Sequence, residues 1–408
     1  MNRFSYFALL LGLVALLGTG CSEKNYFEPR NVEGAVRYDG ELPAKIVETG
    51  YAAATLENGR VITKEGLQPF ELPKGYRYIT GSGDLVVAAG DCLPSIVYNT
   101  KTKEKTELKL PRRVVAALFI PGTSRIAFLI EGNHYGIYDY KENKIVALYD
   151  SDTAITADIR IANPIMLDQL VLIPTLDGKL IILNKESGGK VREIVVGSGE
   201  EFNNVIYLKV IGNRLVAATP HRIISVSPRL MDAQSMEIAD VLFVDDAIYI
   251  LAKDGNVYHC DTDLKILHTR KFPFAHFVGA IYGEFIYIVE REGYIIATDP
   301  MLSVANVFEL PDRIDEWFFT TPNAFYYDKY YFKLNTRSLE ETTETEVETG
   351  GETSQAEEGE SNAKATKTRE PGEKGGEEKE ESWYSGIWNA FKSLTEPDQS
   401  EDTVKGAE

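Results

Sequence analysis

The chain has 408 residues, 62 acidic and 43 basic, and a formal net charge of −19. An acidic surface repels phosphate, so the composition excludes a nucleic-acid binder. With 44% hydrophobic and 26% charged side chains there is apolar material for a large core, in one long domain or two average ones.

The N-terminus reads as an export signal. Arg3 precedes an apolar run from Phe4 to Leu17, followed by small residues and Cys21. The run is shorter than the roughly 18 to 20 residues an apolar helix needs to cross a bilayer. Small residues directly before Cys21 resemble the lipobox of bacterial lipoproteins, with Gly18 standing where that family usually has leucine. The resemblance implies a signal over 1–20, cleavage before Cys21 and acylation (palmitate) of its sulfur. Because Ser22 follows rather than aspartate, it also implies sorting to the outer membrane, with the chain held on the periplasmic face by its lipid. Ordinary cleavage leaving a free cysteine is the alternative. Residues 21–33 then read as a short tether. Only Cys92 and Cys260 remain, too few for a disulfide framework, and both read as small buried hydrophobes.

Over 34–335 the chain repeats. The clearest unit, 168–196 (DQLVLIPTLDGKLIILNKESGGKVREIVV), reads as strand, turn, strand, turn, strand, with Asp177-Gly178 as a hairpin signal. Similar apolar bursts begin at Gly50, Asp84, Arg125, Arg214, Ala247, Phe285 and Ala324, giving eight units and a mean step of about 39 residues. Asn99, Asp139, Asn184, Asp261 and Asp299 recur at one phase, in turns expected after the second strand of a blade. A period near 40 with three or four short strands predicts an all-β fold, a β-propeller of eight blades, with seven blades plus extra strands as the alternative. The final unit from Trp317 is short of strands while 34–48 has one or two to spare, so the N-terminal segment is expected to complete the eighth blade.

Residues 177–191, DGKLIILNKESGGKV, are similar to the blade motif of the quinoprotein-like (PQQ-repeat) propellers, with Arg192 in the region where that family has tryptophan. An outer-membrane lipoprotein with one eight-bladed propeller resembles the BamB subunits of the machinery that inserts β-barrels into the outer membrane. WD40 proteins share the period, but their Gly-His and Trp-Asp signatures are missing.

Residues 336–381 are dominated by Glu, Thr, Gly, Ser and Lys, a composition that cannot build a core and reads as a disordered acidic linker. Within 382–395, Trp383, Tyr384, Ile387, Trp388, Phe391 and Leu394 fall at the spacing of one helical face. Three roles stay open for this amphipathic segment: binding a protein partner, docking back onto the propeller, or lying in a membrane interface. Residues 396–408 read as a disordered end.

No sequence pattern for catalysis appears: there is no GxSxG elbow, phosphate-binding loop or HExxH helix. Of the histidines and their neighbours, His259, Cys260, Asp261, His268 and His276 come nearest to a metal cluster, but His259 and Cys260 point to opposite faces of a strand. Quinone-dependent enzymes of this shape need, by family resemblance, vicinal cysteines and a stacking tryptophan, and the propeller has only Trp317. The expectation is a non-enzyme with neither cofactor nor metal. Two readings follow: an envelope scaffold that binds proteins, including the outer-membrane assembly machinery, or a periplasmic accessory of an exported enzyme that binds a ligand in the central channel.

Overall fold

The computed structural model describes residues 26–152, 154, 160–199, 203–227 and 230–333, and in them the chain forms eight small, mainly antiparallel sheets. The first consists of Ile46–Thr49, Ala53–Leu56, Arg60–Thr63 and Gly66–Glu71, joined in sequence order. Blades two to seven repeat this plan, with inner strands Arg77–Ser82, Val114–Phe119, Ile165–Leu167, Tyr207–Ile211, Ile238–Val244 and Phe277–Tyr282. Blade eight begins at Phe318–Thr321 and has only three strands of its own.

Its fourth strand comes from the N-terminal segment: Gly40–Glu41 pairs antiparallel with Tyr330 and Tyr331. Gly34–Ala35 pairs in parallel with Phe308 and Glu309, adding a fifth strand to blade seven. The eight-bladed ring and its closure thus agree with the sequence.

Alternation of side chains along each strand leaves every blade with two apolar faces and no core of its own. In blade two, Val86, Ala88, Ile96 and Tyr98 pack toward blade one, whereas Val87, Ala89 and Val97 pack toward blade three. Eight such clusters exist, one between each adjacent pair of blades, including Leu42, Ile46, Ile62 and Phe319 between blades eight and one.

The five marked turns work as their residue type requires. Asn99 Oδ1 accepts the amides of Lys101 and Thr102, Asp139 those of Lys141 and Glu142, and Asn184 those of Glu186 and Ser187. Asp261 accepts the amides of Asp263 and Lys265, and Asp299 those of Met301 and Val304. These turns follow the third strand of their blades, not the second, because each apolar burst is a second strand and the inner strand before it is less regular. A polar clamp joins blades three and four. Asn133, held at φ 65°, donates to Asp152 O (2.7 Å) and Asp177 Oδ1 (2.8 Å) and accepts the Leu176 amide (2.9 Å).

Two expectations are corrected. Residues 21–33, expected as a tether, are not all free of the ring, because Phe27 is buried, edge-on to Phe272 and Tyr294 at 6.4 and 5.7 Å. Cys92 is exposed because it falls in the turn between strands Leu85–Gly90 and Leu93–Asn99, while Cys260 is buried, its thiol pushed up to about 12 by desolvation. Cys21 and the segment 382–395 lie outside the described residues.

Closure by the N-terminal segment is testable. Removing residues up to 43 strips buried Phe27, Val36 and Leu42 from the ring. At roughly 2 kcal/mol per buried apolar side chain this should cost on the order of 5 kcal/mol in a urea melt. An unchanged midpoint would show that blade eight closes without it.

Candidate functional site

The inner strands surround a central channel, and blades one, two, three, six and seven carry a register shift in that strand. A bulge bends the strand and re-aims side chains, and here polar groups meet in the middle of the ring. Tyr51, in the turn after the first inner strand, reaches across to Tyr207 of blade five, ring centroids 6.1 Å apart at 72°. In an eight-membered ring blades one and five stand opposite, so the two rings bridge the channel.

Tyr207 Oη donates to Asp240 Oδ1 on the inner strand of blade six. That oxygen also accepts the Val241 amide (2.9 Å), and Oδ2 accepts the Ala280 amide of blade seven (3.2 Å). Burial raises the carboxyl pKa of Asp240, against the opposing effects of Tyr207, Arg160 and the Val241 amide. The Tyr207 phenol is pushed well up by the same burial and by the neighbouring Asp240.

The connection from blade three to blade four completes the bridge. Asn163 Nδ2 donates to Ile79 O of blade two (3.1 Å), and Arg160 Nη1 donates to Ala239 O of blade six (3.3 Å). The Arg160 carbonyl in turn accepts Asn204 Nδ2. One short segment therefore grips two opposite blades. Lys64 of blade one donates to Thr320 O of blade eight (2.7 Å) with its ammonium 4.4 Å from the Phe319 ring centre. Although this side chain touches solvent, the protein crowded around it lowers its pKa to about 8.

What stays open at one mouth is a cavity of about 200 Å³ lined by Tyr51, Tyr78, Arg77, Arg113, Glu131 and Asn163, among others. Its arginines are engaged: Arg77 with Glu48, and Arg113 with Asp91 and with Glu131 at 2.6 Å. Ligand pockets usually occupy about 300 to 1,000 Å³, so this mouth is small for a cofactor. Among the described residues no three His, Cys, Asp or Glu side chains converge as metal ligands. His259 instead stacks between Tyr249 and His268, centroids 4.7 and 5.3 Å away, and burial lowers its pKa.

The arrangement ties opposite blades to one another across the channel. No motif or period in the sequence marks Tyr51, Tyr207 or Lys64. Asp240, an acid amid the apolar strand IADVLFV, was the one visible signal.

No family profile matches the chain. It is 28% identical to the plasminogen-binding protein PgbB of Helicobacter pylori strain J99, over 82% of this chain and 72% of that protein. The PgbB of strain 26695 gives 28% over 82% and 71%. Among solved structures, BamB from Moraxella catarrhalis superposes with a TM-score of 0.56 at 15% identity, over 72% of this chain and 98% of that one. The chain has a BamB-like fold. Sqt1 from Saccharomyces cerevisiae, at TM-score 0.53 and 10% identity, covers 74% of this chain and all of its own. At these identities the structural likeness concerns the propeller alone.

The raised pKa of half-buried Asp240 predicts a pH effect. A carboxyl whose folded pKa is raised contributes its stability fully below the unfolded value of about 3.9, and loses it as pH rises through the folded value. Asp240→Asn removes that penalty, so the melting temperature of the variant minus that of the parent should increase from pH 4 to pH 7. A pH-independent difference would exclude a raised pKa at Asp240.

Proposed function

We propose that this chain is a protein-binding β-propeller of the bacterial envelope, lipidated at Cys21, anchored at the periplasmic face of the outer membrane and acting as a scaffold. The observation that carries the reading is the bridged channel. With Tyr51, Tyr207, Asp240 and Arg160 filling the centre, the surfaces left for recognition are the rim and the two loop-bearing faces. Protein is the ligand class such broad surfaces suit. The relatives named as plasminogen-binding proteins and the BamB-like fold support the same class. The occupied centre correspondingly favours the scaffold over the channel-ligand accessory.

Two partner identities follow from different observations. The lipobox resemblance and the fold favour envelope proteins of the outer-membrane assembly machinery, and the 28% identity to PgbB favours plasminogen. Immobilised full-length chain exposed in parallel to solubilised envelope and to purified plasminogen separates them. Retention of neither would remove the scaffold reading.

The anchor is tested by Cys21→Ser. The variant should keep its signal and take up no labelled palmitate, and equal labelling of variant and parent would remove the lipid.

The aromatic segment is the second contact proposed, with Trp383, Tyr384, Ile387, Trp388, Phe391 and Leu394 as anchors. Trp383→Ala combined with Trp388→Ala should leave the melting temperature unchanged and weaken capture of the partner at least tenfold. A drop in melting temperature would instead indicate docking onto the propeller.

A further inference from the structure

The N-terminal strap determines which side of the ring a lipid at Cys21 would hold against the membrane. Gly34–Ala35 lies outside Ala305–Glu309, the fourth strand of blade seven, and the Glu33 amide donates to Val307 O at 2.8 Å. Upstream, residues 26–33 border a groove of about 1060 Å³ whose other wall is 270–274, at the end of the outer strand of blade six. Phe27 is only 6% exposed there, pinned by Phe272 and Tyr294. Tyr26, the first described residue, lies by Arg313, whose guanidinium is 5.9 Å from its ring centre. The strap is therefore seated on the outer rim between blades six and seven.

Five residue steps separate Cys21 from Tyr26, and an extended chain covers at most about 18 Å in that length. A compact body of some 300 residues is about 50 Å across. The tether is thus far too short to bring the opposite rim, at blades two and three, to the bilayer while Phe27 stays buried. Large apolar side chains are presented at the strapped corner: Phe274 is 52% exposed and Tyr26 44%. Aromatic rings of this kind suit the headgroup layer.

We propose that the rim between blades six and seven is a bilayer-facing surface, with Tyr26 and Phe274 set against the lipid headgroups and blades two and three pointing away. The inference rests on the lipid anchor at Cys21 proposed above. Full-length lipidated protein, with Cys92→Ser to remove the exposed thiol, would be labelled with a fluorophore at Phe274→Cys or, on blade three, at Leu148→Cys. Each is reconstituted in vesicles of phosphatidylethanolamine and phosphatidylglycerol carrying a headgroup quencher.

Quenching should be several-fold stronger at position 274 than at 148. In a Phe27→Ala background the strap upstream of Glu33 is released and the free tether from Cys21 to Glu33 lengthens to about 40 Å, so the contrast should shrink. Equal quenching at both positions, or a contrast that Phe27→Ala leaves intact, would overturn the inference. Mass spectrometry of the same preparation separates the two claims. Lipid on Cys21 with equal quenching refutes this orientation alone, whereas an unmodified Cys21 refutes the anchor and the orientation with it.

Discussion

Burial between neighbours, rather than within a sheet, is the interaction on which this fold depends. Each blade turns one set of side chains forward and the other back, as Val87 and Val86 do, and neither face is covered until the next blade arrives. Hydrophobic burial at about 25 cal/mol per Å² is gained only by stacking, and stacking leaves two uncovered ends unless the ring closes. The cluster of Leu42, Ile46, Ile62 and Phe319 at the junction of blades eight and one is therefore as necessary as any of the other seven.

Closure also creates the problem that the channel solves. Eight inner strands converge on an axis where side chains from opposite blades approach one another, and a dry apolar centre would need them all to fit. Polar groups that satisfy one another are used instead: Tyr207 on Asp240, Asn163 on Ile79 O, Lys64 on Thr320 O. The cost is a half-buried carboxyl with a raised pKa. The return is that blades far apart in sequence are held at fixed distances, a use of buried polar networks with precedent in specifying one arrangement over its competitors.

The legible parts of the sequence were those with strict local rules. Second and third strands are apolar on both faces and read as bursts; the turns need an acceptor at one position, and Asn99, Asp139, Asn184, Asp261 and Asp299 supply it. Inner strands were less legible, because bulges break the alternation of five of them and one side of each faces the channel. That is why the units were placed one strand out of phase; Tyr51 in its turn and Tyr207 on an unbulged strand meet only because the ring brings opposite blades together. Phe27 was missed for a different reason: a single aromatic in a polar stretch has no period, and its partners Phe272 and Tyr294 are brought to it only by the ring. Cys92 sat beside strand-like residues, and its exposure is decided by a turn of the chain at Asp91.

The closing strand has a further consequence for biogenesis. Lys333 donates its amide to Asp39 Oδ2 across 294 positions of sequence, and Gly40 waits for Tyr331. A chain that emerges N-terminus first, whether from a ribosome or through a translocation pore, presents Asp39 and Gly40 early and their partners only 294 and about 290 residues later. Contacts of such separation are slow to form, so the ring stays open, and the polypeptide threadable, until nearly all of blade eight has been delivered.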